Sequence, residues 1–245
     1  MHERQIDIET KAGRMSTFIC HPDRGGPHPV ILFYMDAPAI REELRDMARR
    51  LGTAGYYVML PNLYYREGVM ELGPIPADPE SPERKRVMAL METLTIAKVM
   101  DDTDALISFA AADPAAAKGP MGAVGYCMSG QFAINAAARH PDKFAAAASI
   151  YGVRLITEKP DSPHVVAAKA KAELYFACAE NDRWMPLDMI APLKGALKEA
   201  NANAQVEVYP GTEHGFAFPL RAVYDKSSAE RHWERLHALF KRRLG

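Results

Sequence analysis

The chain has 245 residues, of which 48% are hydrophobic and 25% charged, and its formal net charge is −1. This length can bury a sizeable core, and a near-neutral chain without a clustered basic face argues against nucleic-acid and membrane-surface partners. Three widely spaced cysteines (Cys20, Cys127 and Cys178) predict no disulfide framework, and the first residues lack the apolar run of a signal peptide. We therefore expect a reduced, cytoplasmic protein.

The first half of the chain predicts strands and helices in alternation. Alternating residues predict strands at 6–9 and 15–19, and apolar runs predict buried strands at 30–34 and 56–61. A helix precedes the last of these, because apolar residues recur at helical spacing from Leu44 to Leu51. The segment after residue 64 is rich in Pro and Gly, and we predict a lid or excursion over the fold at 64–85.

The second half continues the alternation. Helices are predicted at 88–112 (with a break near Thr93), 131–139, 188–200 and 229–242, and strands at 119–124, 145–151, 173–178 and 205–209. No internal repeat or linker divides the pattern, which predicts one α/β domain over residues 1–245. We expect a mainly parallel, doubly wound sheet of about seven or eight strands flanked by helices. Ligands bind such sheets at the carboxyl ends of the strands.

A tight strand-to-helix turn is predicted with Cys127 at its apex. Such a turn needs small residues two positions either side of the apex, because a side chain there would collide across the turn. Gly125 and Ser129 meet this requirement for Cys127, whereas Gln131 is too large for a turn centred on Ser129. The frame favours Cys127 over Ser129 as an exposed nucleophile. The alternative is a buried cysteine that packs as a small hydrophobe.

Two further polar residues follow predicted strands. Asp182 lies after the strand at 173–178, and His214 lies after the strand at 205–209. The chain order of nucleophile, acid and histidine is that of the α/β-hydrolase triad. In that triad the histidine moves the proton, and the acid holds the ring in the required tautomer. Glu180 is a competing acid with less reach, because it lies at the very edge of its strand.

The residues after the strand at 30–34 predict part of an oxyanion hole. In this fold, one donor is a backbone amide that follows the third strand, here near Ala37, and the other is the amide after the nucleophile, here Met128. Asp36 is unexpected beside such a hole, because a carboxylate opposes a developing oxyanion. Its alternative role is to cap the helix that follows.

These residues together resemble the dienelactone hydrolase family, over nearly the whole chain from Met15 to about Phe240. The matching segments are 125–128, 61–66, 151–153, the residue Asp182, and 209–211 leading to His214. The resemblance implies an α/β-hydrolase fold in which Cys127 is the nucleophile, His214 the base and Asp182 the residue that orients it.

The resemblance also implies residues that bind the substrate or activate the nucleophile. Asp36 matches a family carboxylate that helps to activate the cysteine, and Arg66 matches an arginine that binds a substrate carboxylate; a solvated loop arginine is the alternative for Arg66. Tyr151 lies in a matching segment. Phe218 stands where the family has a second such arginine, and Arg221 is the nearby candidate to replace it.

The leading hypothesis is a cysteine-dependent hydrolase of a small-molecule ester or lactone, acting through an acyl-enzyme on Cys127. No metal or organic cofactor is expected, because no ligand or nucleotide-binding motif is present. An esterase or thioesterase for larger apolar acyl groups is the first alternative, motivated by Phe218 and by apolar residues in the predicted lid. A non-catalytic binding protein on the same fold is the second. The chain is expected to be a monomer or a homodimer.

Overall fold

The computed structural model describes residues 1–73, 75–76 and 78–245. Its backbone divides into two compact units, Met1–Lys118 and Gly119–Gly245. The described residues form eight strands in all, four in each unit.

The first unit combines a hairpin, two further strands and three helices. Its strands are β1 (His2–Thr10), β2 (Gly13–His21), β3 (Val30–Tyr34) and β4 (Tyr57–Pro61), and its helices are α1 (Glu42–Thr53), α2 (Pro82–Thr93) and α3 (Ile96–Ala112). The strand order is β1-β2-β4-β3, in which β2 runs antiparallel to both of its neighbours and β3 runs parallel to β4.

The patterns of the first unit explain its elements. Every residue of β3 and β4 is buried, as expected for strands covered on both faces. Helix α1 buries Leu44, Met47, Ala48 and Leu51, which share one side at helical spacing. The predicted break in the long helix is confirmed, because Thr95 accepts a hydrogen bond from the Lys98 N–H and starts α3 anew.

The second unit is a parallel sheet with helical connections. Its elements are β5 (Met121–Tyr126), α4 (Gly130–Arg139), β6 (Phe144–Ile150), α5 (Pro163–Val166), β7 (Glu173–Asn181), α6 (Ile190–Glu199), β8 (Ala204–Glu213) and α7 (Lys226–Leu244). The strands lie in the order β5-β6-β7-β8, and each pair is parallel. Because parallel strands end at one edge of the sheet, the residues that follow them lie along that edge. Those residues are Cys127, Tyr151, Asp182 and His214.

Some boundaries differ from the sequence-based expectation. The strands predicted to end at 124 and 178 continue to Tyr126 and Asn181, because their last residues still pair with the neighbouring strand. The short helix α5 was not predicted. The predicted lid at 64–85 includes Pro74 and Ala77, which lie outside the described residues, and the lid stays a prediction. In the described part of the chain, no helix is long and apolar enough to cross a membrane.

Candidate active site

The chain reverses sharply at Cys127, between β5 and α4. Cys127 has a φ of +55°, in the left-handed region that a side chain makes unfavourable by about 1–2 kcal/mol. A Cβ at Gly125 would lie 2.0 Å from the carbonyl oxygen of Ser129, so only glycine fits two residues before the apex. This confirms the small-residue requirement at Gly125. A strained backbone at a strand end is the kind of outlier that accompanies functional sites.

A second tight contact lies three residues after Cys127. A Cβ at Gly130 would lie 2.3 Å from Ser149 Oγ and 2.7 Å from the Cα of Gly152. Helix α4 therefore begins in close contact with the end of β6. The turn rule did not identify Gly130, because the rule considers only the turn itself and the obstacle comes from another strand.

The three cysteines differ in their surroundings. All three are free thiols, and Cys127 is 8% exposed at the start of the helical turn that leads into α4. Burial raises the pKa of both Cys20 and Cys178 to about 12, which leaves these two thiols protonated and unreactive near neutral pH.

His214 and Asp182 form a direct hydrogen bond. His214 Nδ1 lies 2.7 Å from Asp182 Oδ2, and Asp182 Oδ1 accepts a hydrogen bond of 2.8 Å from the Trp184 N–H. Asp182 is 4% exposed, so both carboxylate oxygens are held in a buried setting. The competing acid Glu180 instead accepts from the Gly211 N–H at 2.7 Å. Of the two acids, Asp182 is therefore the one that contacts the His214 ring, and its role in orienting the ring stays a prediction.

The pKa of His214 reflects both of its neighbours. Burial alone would lower it, but the charge of Cys127 and the hydrogen bond with Asp182 outweigh burial and raise the pKa to about 9. Nδ1 is occupied by Asp182, which leaves the other ring nitrogen, the buried Nε2, to interact with Cys127, whose hydrogen bond also raises the pKa. Nε2 is therefore the atom that can exchange a proton with a neighbouring group.

Aromatic rings pack behind the histidine. The ring of Tyr151 meets the His214 ring edge-on at 5.1 Å, and Phe218 lies 5.5 Å from the ring of Tyr126. Phe218 is fully buried, and the Arg221 guanidinium lies 4.6 Å above its ring. The predicted roles of Tyr151, Phe218 and Arg221 in substrate binding stay predictions.

Asp36, in the first unit, is the remaining residue whose side chain is predicted to act on the nucleophile. Asp36 is fully buried and accepts hydrogen bonds from Arg41 at 2.6 and 3.2 Å. Helix α1 begins after Arg41 with no side-chain cap, so Asp36 does not cap it. The carbonyl of Ala37 accepts a hydrogen bond of 3.1 Å from the Tyr64 hydroxyl. The expected roles of Asp36 and Ala37 stay predictions.

Arg66 is held within the first unit. Its guanidinium donates two hydrogen bonds of 2.8 Å to Asp102, whose side chain is 1% exposed, and it lies 4.5 Å from the ring of Tyr65. The pair gives Arg66 a structural partner, and its predicted role in binding a substrate carboxylate stays a prediction. Among the described residues, no group of three or more His, Cys, Asp or Glu side chains could hold a metal ion.

The alternating strands and helices, with a sharp turn after β5, define an α/β-hydrolase fold. A solved structure from Klebsiella pneumoniae, provisionally named a dienelactone hydrolase, matches with a TM-score of 0.85 at 27% identity, covering 98% of each chain. A Methylorubrum extorquens protein provisionally named carboxymethylenebutenolidase is 29% identical over 97% of this chain and 80% of its own length.

The model of the dienelactone hydrolase family matches residues 15–244, and the chain belongs to that family. It is accordingly a hydrolase that acts on ester or lactone bonds. A more distant relative, from Bradyrhizobium, is provisionally named 2-oxo-3-(5-oxofuran-2-ylidene)propanoate lactonase and is 23% identical over 93% of this chain and 89% of its own.

Proposed function

We propose that the protein hydrolyses a carboxylic ester or lactone through an acyl-enzyme on Cys127. The observation that carries this proposal is the linked set at the ends of β5, β7 and β8. Cys127 stands at a left-handed turn, its charge raises the pKa of His214, and Asp182 holds the opposite side of that ring. A nucleophile, a base and an orienting acid in this relation support acyl transfer.

The first half-reaction forms the acyl-enzyme. With the Cys127 proton held on His214 Nε2, Cys127 Sγ attacks the substrate carbonyl carbon, whose π electrons move onto oxygen. When the tetrahedral intermediate collapses, the bond between carbonyl carbon and leaving oxygen breaks, and that oxygen takes the proton from His214. In a lactone the leaving oxygen stays attached to the acyl group, so ring opening precedes release.

The second half-reaction uses water. His214 Nε2 removes a proton from the water as its oxygen attacks the thioester carbon, and Sγ leaves with the electron pair of the carbon–sulfur bond. The proton then returns from His214 to Sγ, and the acid is released. Asp182 stabilises the imidazolium in both halves without itself becoming protonated.

The oxyanion requires two backbone donors. The Met128 N–H at the start of the turn into α4 is one proposed donor, since amides at a helix start point along the favourable end of the helix dipole. The second donor expected from the sequence, the Ala37 amide, stays a prediction. We propose no metal or organic cofactor in any step.

A second substrate class is favoured by a specific observation. Three large apolar side chains on the loops after β7 and β8 are exposed, namely Trp184 at 41%, Leu187 at 49% and Leu220 at 83%. These three side chains follow the strands that end before Asp182 and His214, and exposed apolar groups that flank a substrate site suit apolar acyl groups. Esters or thioesters of larger apolar acids are therefore the alternative to small anionic lactones such as the one in the name of the Bradyrhizobium relative.

The proposal is tested with wild type, Cys127→Ala and His214→Ala on p-nitrophenyl esters of increasing acyl length and on small neutral and anionic lactones. We expect both variants to lose turnover by roughly 10³-fold or more. In the wild-type protein, rapid acid quench during ester hydrolysis should trap an acyl group that increases the mass at Cys127 alone. Cys178→Ala is the matched control for loss of a buried thiol. Turnover by Cys127→Ala at the wild-type rate would overturn the mechanism, and the acyl-length profile decides between the two substrate classes.

A further inference from the structure

A buried histidine that the mechanism does not use lies behind the nucleophile. His232, on α7, is fully buried, and its Nε2 lies 3.0 Å from the hydroxyl of Tyr126. Tyr126 is itself fully buried and is the last residue of β5, so it joins Cys127 directly. A buried polar pair in a mostly apolar core is retained at a cost in desolvation, which makes it a candidate for a specific role.

The hydrogen bonds of this pair have a defined direction. His232 Nδ1 contacts the carbonyl oxygen of Ala229, which can only accept, so Nδ1 carries the ring proton. In a neutral ring Nε2 is then the acceptor, and the Tyr126 hydroxyl donates to it. Tyr126 is thus anchored at its hydroxyl by α7 and at its backbone by β5.

The anchored tyrosine contacts the catalytic histidine through one intervening ring. Tyr126 lies 5.9 Å from Tyr151, and Tyr151 meets His214 edge-on at 5.1 Å. The backbone of the same region is also tied, since the Val153 N–H donates to the Cys127 carbonyl at 3.1 Å. Rotation of the Tyr126 side chain would therefore disturb both the turn that carries Cys127 and the surface against which His214 rests.

We propose that His232 is a positioning residue for catalysis: its hydrogen bond to Tyr126 holds the nucleophile turn and the ring of His214 in reactive alignment. The inference rests on the proposed function, in which Cys127 and His214 react together. Loss of alignment affects the transition state more than substrate binding, because bond formation depends more steeply on the distance between reacting atoms than binding does.

The experiment compares Tyr126→Phe, His232→Leu and His232→Gln with wild type in ester hydrolysis, with urea unfolding measured in parallel. Tyr126→Phe deletes only the hydroxyl, and glutamine at 232 retains an acceptor for it. We expect kcat to fall roughly tenfold in Tyr126→Phe and His232→Leu while KM stays within about twofold. In His232→Gln, kcat should stay within about threefold of wild type, because the acceptor is restored.

Tyr209→Phe is the matched control. Tyr209 is also a buried tyrosine of the second unit, but its hydroxyl lies 2.7 Å from the hydroxyl of Tyr175, and among the described residues it has no hydrogen bond with the nucleophile turn. Its variant should lose stability to a similar extent and keep the wild-type kcat. If His232 had a purely structural role, Tyr126→Phe would likewise lose stability and keep the wild-type kcat.

The proposal is overturned if Tyr126→Phe folds and has the kcat of the Tyr209→Phe control, or if His232→Gln is as slow as His232→Leu. Should His232→Leu fail to fold, Tyr126→Phe and His232→Gln alone decide the question. Cys127→Ala, assayed beside them, separates the two hypotheses: wild-type turnover in that variant rejects the proposed function, whereas inactivity there with unchanged kcat in Tyr126→Phe rejects only the positioning role.

Discussion

Replacing Asp182 by asparagine tests the orienting acid with almost no change in volume. Asp182 uses its two oxygens differently: Oδ1 accepts from the Trp184 N–H at 2.8 Å, and Oδ2 contacts His214 Nδ1 at 2.7 Å. Asparagine has only one oxygen to offer. The backbone N–H of Trp184 can only donate, so we expect the amide oxygen to stay there and the NH₂ group to face His214.

This arrangement reverses the tautomer of the imidazole. An NH₂ group facing Nδ1 makes Nδ1 an acceptor, and the ring proton moves to Nε2, the atom that takes the thiol proton in the proposed mechanism. We expect kcat to fall roughly 10³- to 10⁴-fold with little change in KM. This corresponds to about 4–5 kcal/mol of transition-state stabilisation. The pKa of His214 should also fall below about 9, because the hydrogen bond to a charged carboxylate is lost.

The assay is steady-state hydrolysis of p-nitrophenyl acetate together with an NMR titration of the His214 ring protons. Glu180→Gln is the control, because Glu180 accepts only from the Gly211 N–H among the described contacts that involve its side chain. We expect that variant to remain close to wild type. If Asp182→Asn kept kcat within about tenfold of wild type, the tautomer argument would be refuted.

Three further predictions concern stability. The pKa of His214 is raised from 6.5 to about 9, so its contribution to folding is complete below pH 6.5 and is lost as the pH rises towards 9. The free energy of unfolding should fall by on the order of 3 kcal/mol over this pH range, and His214→Gln should show no such fall in urea unfolding. Gly125→Ala places a Cβ 2.0 Å from a backbone oxygen. We expect this substitution to lower the free energy of unfolding by about 3 kcal/mol, as measured by urea unfolding. Gly195→Ala, in a helix with open space around Gly195, should be neutral or stabilising. Equal effects of the two substitutions would contradict the clash. Arg66→Ala removes the cation from the buried Asp102 carboxylate, which keeps only the hydrogen bond of 2.8 Å from the Tyr65 hydroxyl among its described contacts. It should cost about 3 kcal/mol of folding free energy, and an unchanged urea midpoint would show that the ion pair contributes nothing.

The sequence predicted the turn at Cys127 because the requirement is local. The clash that forces glycine at 125 comes from the carbonyl of Ser129, four positions further along the same turn. The chain order of Cys127, Asp182 and His214 was also readable, since each residue follows an apolar or alternating run that forms a strand of the same parallel sheet. Steric clashes within a turn and the hydrophobic period of a strand both depend only on residues close together in the sequence, so the sequence alone predicts them.

Contacts between distant parts of the chain were not readable. The requirement for glycine at 130 comes from Ser149 on β6, and the hydrogen bond of Tyr126 comes from His232, more than a hundred positions away. The pairing of Arg66 with Asp102 likewise replaces the solvated loop arginine that the local pattern allowed. No periodic or turn signal connects such positions, because their proximity is created by packing.

The sequence alone determined the class of fold, the candidate nucleophile and the order of the residues around it, since hydrophobic period and turn sterics act over a few residues. Only the tertiary structure decided which acid meets His214. Glu180 lies where the pairing of β7 with β8 shifts register and accepts from the Gly211 N–H, whereas Asp182 lies beyond the end of β7 and contacts His214. It also decided the raised pKa of His214 and the anchoring of Tyr126. The pKa depends on burial and on charges brought together from separate strands, and the anchoring depends on a hydrogen bond between β5 and α7. Distance in space, not in sequence, sets the strength of both.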